Sequence, residues 1–176
     1  MSDAPNLRRQ PDLYWKQLGQ LKTAAVCIRL YRNRLAHWVR GVELVKAIGS
    51  CGGIAGWVVW GDWPLAWAAI IAASQVLDAT KHVFPFARQH RAASDLTVAL
   101  ELLCIDAEAE WEGIFAGKVP NEGITERRAR LARIQLEAEH KHFPEGFAPN
   151  LKLVELANRE ANDYFSVIYG EGSNRD

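Results

Sequence analysis

The chain has 176 residues, of which 49% are hydrophobic and 24% charged, and its 21 Lys and Arg residues balance 21 Asp and Glu residues. Zero net charge argues against a basic nucleic-acid-binding protein, and the abundant apolar residues argue against disorder. Cys27, Cys51 and Cys104 are odd in number and widely spaced, which suggests neither a disulfide framework nor a zinc cluster and favours a reducing compartment.

The N-terminal quarter predicts a loose arm followed by a basic helix. Residues 1–11 are polar and contain two prolines, so we expect a disordered arm there. Asp12 is a candidate N-cap for a cytoplasmic helix over residues 12–46. Apolar residues at spacings of three and four, with one phase slip, mark the buried face of this helix: Tyr14, Leu18, Leu21, Ala25, Ile28, Tyr31, Leu35, Trp38, Val42 and Val45.

The centre of the chain is apolar. From Ala47 to Leu77 the only charged residue is Asp62, which divides the stretch into two runs of 15 residues. A run of that length rises only about 22 Å as a helix, less than a bilayer core of about 30 Å. Residues 42–82 are long enough for a two-span hairpin, and they place Lys46 and Asp78 at equal distances from Asp62 as a boundary charge pair. A buried helical hairpin of a soluble protein is the alternative.

A turn rich in tryptophan joins the two predicted spans over residues 61–64. Glycine, aspartate and proline favour a turn there, and indole rings favour a membrane–water interface. The predicted turn and interfacial aromatic belt comprise Trp57, Trp60, Gly61, Asp62, Trp63, Pro64 and Trp67.

Charge is unevenly distributed along the chain. Residues 1–46 carry nine Lys and Arg against three Asp and Glu, a net charge of +6, whereas residues 78–176 carry twelve against seventeen, a net charge of −5. Basic residues flank both spans and are missing from the turn, so the positive-inside rule places both termini in the cytoplasm. The basic flank, Arg29, Arg32, Arg34 and Arg40, is an ordinary positive-inside flank or a contact for anionic lipid head groups or an acidic partner.

Glycines in the first span form two overlapping Gly-x-x-x-Gly pairs, Gly49 with Gly53 and Gly52 with Gly56. This spacing makes a flat ridge on which another helix can approach closely in lipid. Ala69 and Ala73 of the second span are also small. We therefore predict helix packing at these residues, within one chain or between copies in a homo-oligomer.

The remainder of the chain predicts three more helices, so the fold class is all-α, with the hairpin continuous with long cytoplasmic helices. Pro85 is expected to break the helix leaving the second span, and residues 83–116 carry the next apolar stripe, Leu96, Leu100, Leu103, Ala107, Trp111 and Ile114. Residues 124–170 predict a C-terminal pair of helices capped by Thr125 and Asn150, followed by a polar tail at 171–176. The two stripes are expected to pack antiparallel.

Catalytic and metal-binding patterns are weak. No Gly-x-Ser-x-Gly elbow occurs, and Cys51 lies in an apolar setting that disfavours a thiolate. The pairs Glu137/His140 and Glu139/His142 have metal-ligand spacing, but they overlap on one helix and face different directions. We predict neither an enzyme nor a metal or cofactor site.

The chain has a basic aromatic helix from Tyr31 to Arg40, two short spans at 42–60 and 63–77 with a minimal turn, and charged helices after them. This arrangement resembles the SLATT family of bacterial two-transmembrane effectors. The resemblance covers about residues 12–142. It implies an inner-membrane protein that oligomerises and permeabilises the membrane in anti-phage defence, beside a nucleotide-signalling or sensor protein encoded nearby. The other hypotheses are a membrane-anchored helical scaffold or regulator and a soluble helical interaction protein.

Overall fold

The structure is a computed structural model and describes residues 4–59, 68–69, 72–73, 75–76 and 86–170. These residues contain four helices and no strand, which confirms the all-α class. The helices are α1 (Ala4–Val59), α2 (Phe86–Phe115), α3 (Asn121–His142) and α4 (Leu151–Tyr169). Over the described ranges, no helix has a stretch both long enough and apolar enough to cross a membrane.

Helix α1 begins at Ala4, eight residues before the Asp12 cap that the sequence favours. Residues 4–11 are therefore helical, and the prediction of a loose arm is corrected there. Pro5 lies in the first turn, where the missing N–H has no helical partner to lose. Pro11 lies inside the helix and removes one backbone hydrogen bond, which the helix tolerates.

The ends of the later helices agree closely with the predicted breaks. Helix α2 begins at Phe86 and ends at Phe115, within one residue of the predicted end; Pro85 lies outside the described residues, so the break expected there stays a prediction. Gly117 and Gly146 each follow the end of a helix, with φ angles of 69° and 86°. Both angles lie in the left-handed region, which glycine adopts without steric cost. Asn150 caps α4 as predicted, since its side chain accepts a hydrogen bond from the Lys152 N–H at 3.1 Å.

Thr125 does not cap a helix. Helix α3 begins four residues earlier, after Pro120, which supplies no side-chain cap. The Thr125 hydroxyl instead donates to the Asn121 carbonyl inside the first turn. Pro120 has the extended backbone of a cap position, with φ −69° and ψ 156°, and the helix starts at the next residue without a hydroxyl cap.

The chain divides into two compact units, unit 1 (Met1–Arg32 with Ala92–Asp176) and unit 2 (Asn33–Arg91). In unit 1, Tyr14 packs with Ile114 while Lys22 bonds Glu108, so α2 runs antiparallel to α1. The remaining directions follow from the same kind of pairing. Helix α3 is parallel to α1, with Tyr14 against Ile124 and Tyr31 against Phe143; α4 is antiparallel, with Cys27 against Ala157 and Trp15 against Tyr169.

The predicted apolar stripes form the core of unit 1. Every stripe residue of α1 up to Ile28 is buried. The stripe residues of α2 are also buried, except Trp111, which is half-buried. The buried stripe residues are Tyr14, Leu18, Leu21, Ala25, Ile28, Leu96, Leu100, Leu103, Ala107 and Ile114. The antiparallel packing of these two helices is confirmed. Each large side chain that leaves water contributes about 1.5–3 kcal/mol, so this double stripe is the main stabilising layer.

In unit 2 the stripe prediction holds for Leu35 but is wrong for Trp38. Leu35 is 5% exposed, whereas Trp38 is 61% exposed. Trp38 lies outside the core of unit 1, and a helix stripe is buried only where another element packs against it.

Candidate functional site

The predicted membrane-associated residues are only partly described. Gly49, Gly52, Gly53 and Gly56 all lie in the last turns of α1, and Ala69 and Ala73 are exposed in helical backbone. The surroundings of the four glycines are not among the described features. The packing of this ridge therefore stays a prediction.

The predicted turn also falls outside the described part of the chain. This applies to Trp60, Gly61, Asp62, Trp63, Pro64, Trp67 and Asp78. Trp57 and Lys46 belong to α1, but their side chains are not among those described. The aromatic belt and the Lys46/Asp78 pair stay predictions.

The basic flank separates into two groups in the structure. Arg29 is half-buried and forms an ion pair with Glu160 of α4. It therefore connects α1 to α4 inside unit 1. Arg32 is half-buried, whereas Arg34 and Arg40 are exposed. Arg34 and Arg40 are thus the members of the flank that are presented for a surface contact.

A cluster of three polar side chains joins α1, α2 and α4, which we call the Lys22 cluster: Lys22, Glu108 and Tyr164. The Lys22 ammonium lies 3.2 Å from one Glu108 oxygen and 3.3 Å from the centre of the Tyr164 ring. The Tyr164 hydroxyl donates to the other Glu108 oxygen at 2.8 Å. Burial, and then the bond to Glu108, raise the pKa of Tyr164, which keeps the hydroxyl protonated as a donor.

An aromatic cluster lies next to the Lys22 cluster, at the C-terminal end of α4. Trp15 of α1 has ring centroids 5.0 Å from Trp111 and Phe165 and 5.1 Å from Tyr169, the last in an edge-to-face arrangement. Such pairs stabilise by about 0.5–1.5 kcal/mol each beyond their buried area. The aromatic cluster and the Lys22 cluster together fix α4 on α1.

A groove of about 660 Å³ lies between α3 and α4, and α1 forms its floor. We call it the α3–α4 groove. One end is polar, with Lys16 and Gln20 of α1 and Asn162 of α4. The other end carries Cys27 of α1 and two aromatic rings from the loop after α3, with Glu139 and His140 of α3 and Asn158 of α4 beside them. Those rings, Phe143 and Phe147, lie 5.5 Å apart, and Tyr31 contacts both.

The two described cysteines are not arranged for chemistry. Cys27 lies in the floor of the α3–α4 groove and Cys104 beside the Lys22 cluster, and both are buried. Burial raises the pKa of Cys27 and raises the pKa of Cys104 to about 12. A protonated thiol is neither a good nucleophile nor a metal ligand.

The Glu and His residues of α3 do not gather into a metal centre. Among the described residues, no group of three or more His, Cys, Asp or Glu side chains has the geometry to hold a metal ion. Glu139 instead accepts a hydrogen bond from Gln135 at 2.8 Å, one turn earlier on the same helix. Glu139 and His140 line the α3–α4 groove at its Cys27 end, one helical turn before Phe143.

No protein-family model, curated protein or solved structure matches the chain.

Sequence reasoning did not find the Lys22 cluster or the α3–α4 groove. Their members lie far apart in the chain: Lys22 and Glu108 are separated by 86 residues, and Glu108 and Tyr164 by 56. The sequence did indicate that Lys22 lies near the core, because this charged residue directly follows Leu21 of the buried stripe. Its partner could not be chosen before the rotation of α4 was known.

Proposed function

We propose that this chain is a small bacterial inner-membrane effector whose two-span hairpin, residues 42–82, assembles into homo-oligomers that open a pore or disrupt the bilayer. The support is the apolar stretch from Ala47 to Leu77, the tryptophans around Asp62 and the basic flanks on one side. The resemblance to the SLATT family points the same way. The helices of unit 1 and both termini lie in the cytoplasm.

The observation that carries this proposal is the continuity of α1. Its first part supplies core residues of unit 1 such as Leu18 and Leu21, and its last turns contain the glycine pairs. One helix therefore links a folded cytoplasmic unit to the segment proposed to enter the membrane. A signal that alters the packing of unit 1 has a covalent, hydrogen-bonded path to the hairpin.

Assembly is assigned to the glycine pairs. Lipid tails are as apolar as leucine, so helices in a bilayer associate through close packing of small residues. Two spans alone offer no lined channel, since Asp62 is the only charged residue between Ala47 and Leu77. Any pore must therefore form between copies. The trigger is proposed to come from a nucleotide-signalling or sensor protein encoded nearby.

The test combines membrane extraction, crosslinking and permeability in cells that express the full chain with its neighbouring genes. We expect the chain to resist carbonate extraction, to form crosslinked multimers and, once triggered, to collapse the membrane potential and admit an excluded dye. The double variant Gly49→Leu/Gly53→Leu should lose multimers and permeabilisation.

Gly41→Leu is the matched control, because Gly41 lies on the same helix, before the glycine pairs, and a side chain added there meets no neighbouring atom within 4 Å. It should behave as the unmodified chain does. A cytosolic, monodisperse chain would refute the membrane location, and insertion without loss of membrane potential would leave the scaffold hypothesis.

A further inference from the structure

We propose that α4 is a releasable helix, which undocks from α1 and unfolds as a unit while α1, α2 and α3 stay packed together. Its release exposes Val26 and Cys27, which pack against Ala157 of α4 in the folded chain. Both residues belong to α1, the helix that continues into the glycine pairs. The inference concerns unit 1 alone and holds whether or not the hairpin opens a pore.

The buried side chains of α4 are small. Ala157 and Ala161 are the buried residues of this helix, and the larger side chains that face α1, such as Leu153 and Val154, are only partly buried. The free energy of burial grows with the apolar area that leaves water. Two alanines therefore hold α4 more weakly than the leucine stripes hold α1 and α2 together.

Gaps lie on both sides of α4. The α3–α4 groove, with a volume of about 660 Å³, separates it from α3. On the opposite side a cavity of about 560 Å³ lies between α4 and α1, beside Val167 and Ile168, which are 68% and 50% exposed. A second cavity, of about 250 Å³, separates Tyr164 from α2. A helix with few packed neighbours gives up little dispersion energy when it leaves.

The polar contacts of α4 are ones that water can replace. The ion pair of Glu160 with Arg29 is exposed on both sides, at 46% and 35%, and such pairs stabilise little. The Tyr164 hydroxyl donates to Glu108, but Lys22 holds that carboxylate independently. Undocking of α4 therefore leaves no buried charge without a partner, which would otherwise oppose release.

The connection before α4 can stay in place when the helix leaves. Phe143 and Phe147 of this loop both contact Tyr31, so the loop is anchored to α1 independently of α4. Only the backbone after Phe147 has to change direction. An undocked α4 would be an isolated helix of 19 residues, and helices in proteins derive most of their stability from packing. It should therefore unfold once it is released, and its amide protons should exchange with solvent.

The experiment measures amide hydrogen exchange of the full chain by mass spectrometry, under conditions where exchange reports the opening equilibrium. Protection is the factor by which folding slows exchange. Amides in the centre of α4, between Ala157 and Tyr164, should exchange together. Their protection should be about a hundredfold lower than that of α1 around Leu18 and of α2 around Leu100. Fraying would instead be confined to the ends of α4.

Two variants should have different signatures. Ile124→Val leaves a small cavity in a core cluster that contains Tyr14 and Ile114 but no residue of α4. It should lower protection in α1 and α2 about fivefold and leave α4 unchanged, because its cost is the same before and after release. Tyr164→Phe removes a hydrogen bond that exists only in the docked state, so it should lower protection about fivefold in α4, and equally in α1 and α2.

A chain that opens only as one unit would respond to Ile124→Val with an equal loss in α4, and that outcome would overturn the proposal. Equal protection of α4 and α1 in the unmodified chain would overturn it as well, as would unchanged protection of α4 in Tyr164→Phe. Exchange is read within unit 1, so a failure here is distinct from a failure of the proposed function.

Discussion

Tyr14 combines an apolar ring with a polar atom that needs a partner in the core. The residue is fully buried, and its hydroxyl lies 3.1 Å from the Ala107 carbonyl and 3.2 Å from a Glu110 oxygen, to which it donates. Burial, and then the neighbouring carboxylate of Glu110, raise the pKa of Tyr14 above its ordinary value near 10. The neutral hydroxyl is therefore part of the folded state.

Tyr14→Phe should reveal this as a dependence of stability on pH. Near pH 8 the variant should lose about 1 kcal/mol, since one buried hydrogen bond is missing. Above about pH 10 the unfolded tyrosine ionises while the folded one stays protonated, so the unmodified chain loses stability as the pH rises. The difference between the two chains should shrink toward about pH 11, measured by chemical denaturation followed by tryptophan fluorescence. A constant difference would contradict the assignment.

The Lys22 cluster makes a second prediction at this scale. Lys22→Met keeps the apolar stem but leaves the Glu108 carboxylate without its cation, in a site where the two side chains are only 18% and 20% exposed. We expect a loss of about 1–3 kcal/mol in the free energy of unfolding.

Lys118→Met is the control for this variant, because Lys118 is exposed in the loop after α2. It should change the free energy of unfolding by no more than about 0.5 kcal/mol. Adding Glu108→Leu to Lys22→Met should recover part of the loss, since it removes the unpaired charge. Independent, additive effects in this double-mutant cycle would show that the pair does not interact.

At the scale of helices, local chemistry predicted ends better than it predicted partners. The Asn150 cap and the end of α3 at His142 were predictable, because a cap depends on residues within one turn. The start of α1 was not, since Pro11 reads as a breaker in isolation. On α2, Val98, Leu102 and Ile105 form a second apolar stripe at helical spacing that is 52–63% exposed. Spacing identifies an apolar face, and only packing decides whether it is buried.

The two candidate caps offer a matched test. Asn150→Ala should destabilise the chain by about 1 kcal/mol, because the Lys152 N–H loses its acceptor at the start of α4. Thr125→Ala should be neutral or slightly stabilising, since Thr125 lies inside α3 and alanine has the higher helix propensity. Thermal unfolding of both variants measures the difference, and equal losses would mean that the cap of α4 is not as described.

For the whole molecule, the question is whether residues 42–82 act or merely anchor. Replacing them by an unrelated two-span anchor should abolish permeabilisation while unit 1 stays folded, because the glycine pairs are lost with the segment. A chimera whose near-ultraviolet circular dichroism shows intact aromatic packing of unit 1 but which no longer collapses the membrane potential supports the effector. Retained activity in the chimera would favour the scaffold.

The all-α class, the apolar stripes of α1 and α2 and the cap of α4 follow from the order of the residues alone. So does the division of charge into a +6 beginning, a nearly uncharged centre and a −5 remainder. These features depend on neighbours within one or two helical turns, where spacing alone decides which side chains share a face. The packing of the helices, by contrast, brings Lys22 to Glu108 and Tyr164, leaves Trp38 exposed and leaves a groove between α3 and α4 above Gly19. Those outcomes depend on how far each helix is rotated and shifted against the next, which is the sum of many weak contacts between residues distant in the chain.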